Sequence, residues 1–141
     1  MCSSDLLWSA TSYKSLRDDA METERWNRLH PAEPPRQSIL DRTLNTGSGP
    51  VVAVTDFMRI VSEQVAPHVR GRRFLALGTD GMGRSDTRAA LRRFFETDAE
   101  HVTVAVLSAL VGSHGITAGT VRDAIRDLGI DPDAPNGLTR D

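Results

Sequence analysis

Between Leu77 and Arg88 the chain reads L-G-T-D-G-M-G-R-S-D-T-R, and this run restricts the fold more than any other segment. It follows four apolar residues, Phe74-Leu75-Ala76-Leu77, and precedes Leu91, Phe94 and Phe95 at helical spacing. A buried strand, a sharp turn and a capped helix satisfy both flanks. Gly78, Gly81 and Gly83 let the backbone turn tightly and come close to a neighbour, while Ser85 or Asp86 can accept a hydrogen bond from the free amides of the next helix.

The flanking pattern extends this reading into an α/β fold. Val51-Val52-Ala53-Val54 is apolar at every position, as a central strand covered by helices on both faces must be. Asp56 is expected to open a helix with Phe57, Ile60, Val61 and Val65 on one face, ended by Pro67. Strand, helix, strand predicts a parallel pair joined by a right-handed crossover. Leu6 to Thr11 reads as a short buried strand, and Thr11-Ser12 offers a hydroxyl cap for a helix that Pro31 stops after His30. A weaker helical pattern from Gln37 to Leu44 leads into the turn-rich Asn45 to Pro50.

Beyond the glycines, Thr87 to Phe95 reads as a helix with Leu91, Phe94 and Phe95 inward and Arg84, Arg88, Arg92 and Arg93 on or near its outer side. Thr97-Asp98-Ala99-Glu100 has the form of a capping box, and Val102 to Leu110 is apolar nearly all round, which predicts a buried helix broken by Gly112 to Gly115. A last helix from Thr117 turns Val121, Ala124, Ile125 and Leu128 inward and ends at Gly129-Ile130. The expected architecture is three-layer, a mostly parallel sheet with helices on both faces. Residues 1–6 read as a non-native or disordered start, 7–130 as the folded domain, and 131–141, with Pro132 and Pro135, as a flexible tail.

Composition narrows the function classes. A length of 141 residues suits one domain with one core, and 17 basic against 19 acidic residues suggest neither a nucleic-acid surface nor a polyacidic tail. There is no apolar run long enough to span a bilayer, so a cytoplasmic protein without a membrane partner is expected. Cys2 is the one cysteine, which excludes an internal disulfide. His30, His68, His101 and His114 lack metal-ligand spacing, and no G-x-S-x-G elbow or C-x-x-C occurs.

The candidate positions therefore carry structural readings beside chemical ones. Gly78 to Gly83 can cradle an anion at a helix amino-terminus, but it lacks a P-loop lysine, and a structural hinge is the simpler role. Asp80, Arg84 and Asp86 can form a charge cluster at the carboxyl end of the sheet, or an ion-paired surface or subunit contact. The arginine face can meet an anionic partner or simply water. Trp26 reads as a core or interface anchor.

Three segments in register resemble one enzyme family. Leu77 to Asp86 is similar to the L-G-T-D-G-F-G-R-S-D run near the carboxyl end of the homodimeric, thiamine diphosphate-dependent pyruvate dehydrogenase decarboxylating components. Trp8 to Tyr13 with Glu24-Arg25-Trp26-Asn27-Arg28-Leu29-His30-Pro31 resembles its W-S-V-T-S and E-R-W-N-x-L-H-P, and Gly49 to Met58 resembles its P-x-V-A-x-T-D-Y-M. The resemblance covers about Leu7 to Ala134 and implies a transketolase-like third domain.

For a complete family member it implies attack of the thiamine ylide on pyruvate, loss of carbon dioxide, and acetyl transfer to a lipoyl group of the dihydrolipoyl acetyltransferase partner. The residues that hold magnesium and thiamine diphosphate belong to other domains of that family, so no catalytic, cofactor or metal residue is carried over. The segment is then expected to support the homodimer, with Gly78, Asp80, Gly81, Gly83, Arg84, Ser85, Asp86 and Trp26 as structural or interface residues. The alternative is a free-standing transketolase-like module binding an anion at the Gly78 to Asp86 hinge. Branched-chain or 2-oxoglutarate specificity of the parent enzyme is a third reading.

Overall fold

The computed structural model describes residues 6–138; Met1 to Asp5, including Cys2, and the last three positions of the expected tail lie outside it. Ser12 opens the first helix by accepting a hydrogen bond from the Ser15 amide at 3.2 Å, and α1 runs Tyr13–Leu29 with His30 as its carboxyl cap. Ahead of it the expected strand over Leu6 to Thr11 does not form. Leu6, Leu7 and Trp8 are exposed, because an apolar run becomes a strand only where a sheet edge receives it, and none of the described strands pairs with this one.

Two strands make the described sheet. β1 (Val51–Val54) pairs in parallel with β2 (Phe74–Leu77), in register from Val51 opposite Phe74 to Val54 opposite Leu77. The α/β class and the parallel pairing agree with expectation. β1 is not a central strand, however: it has one neighbour among the described residues, and Val54 is exposed. The wider three-layer sheet is reduced here to this pair, on which α3 and α5, defined below, both pack.

The crossover helix is shorter than the sequence pattern suggests. α3 spans Arg59–Glu63 rather than starting at Asp56, and Pro67 sits in a 3-10 turn, Ala66–His68. The carbonyls of Asp56 and Phe57 accept hydrogen bonds from the Thr79 hydroxyl and amide, both at 2.9 Å, so the backbone there is bonded to the hinge instead of to a helical turn. Phe57 and Ile60 are consequently exposed, not inward.

The tightest packing lies between α1, the short α2 (Ile39–Arg42) and Val65, which follows α3. Leu40 (1 % exposed), Ala20 and Val65 form its centre, with Tyr13, Leu16, Leu44 and Phe74 packed around them. Burial raises the Tyr13 phenol above its ordinary pKa. A helix as short as α2 does not hold itself. It is fastened by a reciprocal cap, in which the Ser38 hydroxyl accepts from the Asp41 amide at 3.1 Å and the Asp41 carboxylate from the Ser38 amide at 3.0 Å. The Asp19 carboxylate adds a bond from the Ile39 amide at 2.6 Å. Asn45 then bridges the Asp41 carboxylate (2.9 Å), the His68 carbonyl (3.0 Å) and the Arg70 amide (2.9 Å), and Arg72 donates to the Leu44 and Gly49 carbonyls.

After β2 the elements are looser. α4 spans Arg88–Phe94, α5 Ala99–Ala109 and α6 Ala118–Asp127. Thr87, not Ser85 or Asp86, caps α4, accepting from the Ala90 amide at 3.3 Å; Asp86 accepts from the Thr87 amide at 2.7 Å. The expected Thr97 capping box is replaced by Asp98 as the cap of α5, and the Thr97 hydroxyl is buried without a partner among the described residues. α5 is only partly covered, with Ala105 its one buried residue, and it packs mainly on the strand pair and α6. The α6 terminus follows the sequence pattern: Gly129 (φ 63°) donates to the Arg126 carbonyl at 3.1 Å and Ile130 to the Ile125 carbonyl at 3.0 Å.

Candidate functional site

In open α/β sheets ligands gather beyond the carboxyl ends of the strands, and here that position is taken by the Thr55 to Met58 turn and the Gly78 to Gly83 hinge. Gly78 is buried where the two segments cross. A Cβ there would stand 2.6 Å from the Phe57 carbonyl oxygen and 2.8 Å from the Arg59 amide nitrogen, so only glycine allows this approach. Gly81 adopts φ 117°, and a Cβ on it would overlap the Gly137 carbonyl oxygen. Gly83 faces open space. The hinge glycines Gly78 and Gly81 thus close against the chain's own backbone, and the cradle that an anion would need is filled from within.

The expected cluster of Asp80, Arg84 and Asp86 is not assembled. Asp80 pairs with Arg59 at 2.6 Å and also accepts from the Arg59 amide at 3.3 Å, tying the start of α3 to the hinge. Arg84 stacks over the Phe94 ring at 4.5 Å, and Asp86 is spent on the Thr87 amide. Ser85 is exposed with no hydrogen bond to an α4 amide. Arg59 stands 21 residues from Asp80, a separation at which no local pattern announces a pair. On the arginine face, Arg92 lies 3.9 Å from the Asp56 carboxylate, while Arg93 turns the other way.

Arg93 joins a second polar group, with Asp98 and His101, that the sequence reading did not bring together. Its guanidinium meets the Asp98 carboxylate at 3.1 Å, and the other oxygen of Asp98 takes the His101 amide at 2.9 Å and ring nitrogen Nδ1 at 2.5 Å. Burial pushes the Asp98 carboxyl upward, but the bonds from the His101 amide and ring and from Arg93 outweigh it and hold the pKa below its ordinary value. Arg93 also donates to the Gly129 carbonyl, bringing α4 to the end of α6. The sequence pattern set the cap one residue early, at Thr97, and announced neither the pairing of Asp98 with His101 nor the arrival of Arg93.

These groups border a cleft of about 300 Å³ lined by Arg93, Phe94, Glu96, His101, Gly129 and Pro135. Glu96 holds φ 58° at the end of α4, a position that glycine ordinarily takes. The Thr97 amide donates to the Arg92 carbonyl at 2.9 Å and the Glu96 amide to the Arg93 carbonyl at 3.3 Å, so the strained residue completes the helix end. With Nδ1 held by Asp98, the group is an oriented imidazole beside an arginine, fit to position helices and to meet a polar ligand. Among the described residues no three His, Cys, Asp or Glu side chains converge as metal ligands. The residues present do not fit a magnesium diphosphate site.

Trp26 is half-buried on α1 and belongs to a clasp. His30 stacks against it with ring centroids 4.4 Å apart, and the Arg36 guanidinium lies 3.9 Å above it. Asn27 binds both backbone groups of Arg36, donating to its carbonyl at 3.0 Å and accepting from its amide at 2.8 Å. The W-N-x-L-H segment therefore straps the proline loop to the helix end. His68 contacts the Glu24 carboxylate at 2.8 Å, and His114 lies at φ 51° in the turn after α5. No helix among the described residues is long and apolar enough to cross a membrane.

Comparison with known sequences agrees with the motifs. Residues 4–98 match the family described as transketolase-like TK C-terminal domain. The chain is 45 % identical over 132 residues to the pyruvate dehydrogenase E1 component of Pseudomonas aeruginosa, covering 94 % of this chain and 15 % of that protein. It is 43 % identical over 130 residues to the protein of that name from Escherichia coli (strain K12), covering 92 % and 14 %. Against the one from Mycobacterium tuberculosis it is 46 % identical over 125 residues, covering 89 % and 13 %. The chain thus spans about 15 % of the length of the curated relatives it matches.

Proposed function

The chain belongs to the transketolase-like C-terminal domain family, and on that premise we propose that it is the carboxyl-terminal part of a pyruvate dehydrogenase E1 component. The observation that carries this reading is the identity of 45 % extending over 94 % of the chain. The whole protein would decarboxylate pyruvate in the cytoplasm with thiamine diphosphate and magnesium and pass the acetyl group to lipoyl groups of a dihydrolipoyl acetyltransferase, working as a homodimer. Within it this part is structural. Its strand pair, hinge and Trp26 clasp set the positions of surfaces that other parts of the polypeptide meet, and Gly78, Asp80, Gly81 and Trp26 are the residues that shape those surfaces. Gly83, Arg84, Ser85 and Asp86 lie on the exposed outer side of the hinge and are its interface residues.

Exposed apolar side chains support the structural role. Phe57, Met58, Ile60 and Met82 stand at the carboxyl end of the strand pair, and Leu6, Leu7 and Trp8 precede α1, all in water in the isolated chain. The test is to express the complete reading frame from the same source beside the 141-residue chain and to assay both for thiamine-dependent pyruvate decarboxylation and acetyl transfer. Turnover in the long protein and none in the short one is expected. A long protein that turns over a different 2-oxo acid and leaves pyruvate untouched would overturn the reading.

A further inference from the structure

The segment after α6 touches two otherwise separate places. It leaves the helix at Gly129, turns at Asp131, whose carbonyl accepts from the Ala134 amide at 3.3 Å and whose carboxylate accepts from the Asp133 amide at 3.0 Å, and passes the cleft with Asp131, Ala134 and Pro135 in its wall. It then reaches the hinge. A Cβ on Gly137 would lie 3.1 Å from the Asp80 carbonyl oxygen, 3.3 Å from Phe95 Cδ1 and 3.5 Å from Phe94 Cε1, while a Cβ on Gly81 would overlap the Gly137 carbonyl oxygen. Gly81 has to be glycine at this contact, and a side chain at Gly137 would be crowded against the Asp80 carbonyl oxygen.

We propose that residues 131–138 form a strap that locks the glycine hinge in its turned geometry, so that strap and hinge open as one unit. The rest of the hinge has little else to hold it. Thr79 is bonded to the Asp56 and Phe57 carbonyls and Asp80 to Arg59, but residues 81–89 are exposed, and Gly83 has nothing within 4 Å of where its side chain would be. With Gly81 at φ 117°, a conformation glycine shares with several others, the turn is chosen by what lies against it. What lies against it is Gly137. The strap also shares its wall of the cleft with Arg93 and His101, so an event in the cleft that shifts Pro135 would reach the hinge through two residues of chain. This inference is independent of the enzyme that the chain belongs to, since it concerns contacts inside the chain.

Native-state amide hydrogen exchange on the 141-residue chain, followed as urea is raised within the folded range, tests it. A lock requires the bonded amides of Thr79, held by the Phe57 carbonyl, and Leu138, held by the Asn136 side chain, to share one opening free energy and one urea dependence. Two separate dependences overturn it. Gly137→Val gives a second reading. It is expected to speed exchange at the Thr79 amide by about tenfold or more while the amides of α1 keep their wild-type rates. A hinge that exchanges at the wild-type rate while residues 131–138 are released overturns the proposal. Should the variant fail to fold, the wild-type comparison decides alone.

Discussion

Leu40 and Gly78 are both buried, yet they hold the molecule in different ways. Leu40 sits among side chains from α1, from Val65 beyond the end of α3 and from β2, and its surroundings are fastened by the reciprocal Ser38 and Asp41 cap, the Asn45 bridge and the Arg72 bonds to carbonyls. Gly78 has no side chain to bury; it works by letting two backbones pass within a distance that any Cβ would forbid. Around Leu40, stability comes from apolar area removed from water. From the hinge onward it comes from caps, turn geometry and ion pairs, with few buried side chains. The first region is a platform, and the second is the part that a neighbour or a ligand can reshape, because contacts of backbone geometry are lost together when one of them is broken.

The strongest test of that contrast is Leu40→Ala. Emptying a site that is 1 % exposed is expected to cost about 3 kcal/mol, read as a lowered urea midpoint, with the whole chain losing structure in one step. If residues 88–127 stayed folded at urea concentrations that melt α1, the two regions would be thermodynamically separate rather than merely different in kind. Gly78→Ala comes next, at about 2 kcal/mol, because the atoms it meets are backbone and cannot swing aside. Gly83→Ala, in open space, should stay within about 0.5 kcal/mol of wild type. Equal losses at the two positions would show that chain flexibility, and not close approach, sets the cost at the hinge.

Charge sharpens the comparison at a smaller scale. The native pKa of Asp98 lies below its ordinary value, so the stability it contributes is fully present above the unfolded-state value of about 3.9 and is lost as pH falls through the native value. Asp98→Asn should therefore cost about 1.5 kcal/mol at pH 7 and progressively less as pH falls below about 3.9, followed by urea midpoints. Asp41 behaves in the same direction through its bonds from Ser38 and Asn45 and its proximity to Arg70, against the upward push of burial. A pH-independent loss for Asp98→Asn would mean that it acts as a neutral cap alone. Smallest is Glu96→Gly, expected to stabilise by about 0.5 kcal/mol, because glycine meets φ 58° without the steric conflict of a side chain. A destabilisation measured by thermal melting would show that the Glu96 carboxylate has a partner worth more than the strain.

How much was legible follows the range of the forces involved. Ser12 and Thr117 sit immediately before their helices, and Gly129 follows one; each is a local bargain between a side chain or a bare backbone and the amides or carbonyls of one helical turn. The apolar runs of β1 and β2 were equally plain. Leu6 to Thr11 has a similar apolar run and is no strand here, since pairing depends on a partner edge that a run of residues does not encode. The Asp80, Arg84 and Asp86 cluster failed for a related reason. Closeness in sequence suggested closeness of charge, but Arg59 reached Asp80 first and the Phe94 ring took Arg84.

The sequence by itself determined the class of the chain, its parallel strand pair, the caps of its first and last helices and its family, because caps, hydrophobic period and motif order are all properties of neighbours along the chain. Only the tertiary structure decided that Phe57 and Ile60 face water, that Arg93 completes the Asp98 and His101 group, and that Gly137 closes on Gly81. Those outcomes depend on which distant segments arrive at the same point, and a contact between residues 56 positions apart has no signature until the chain has brought them together.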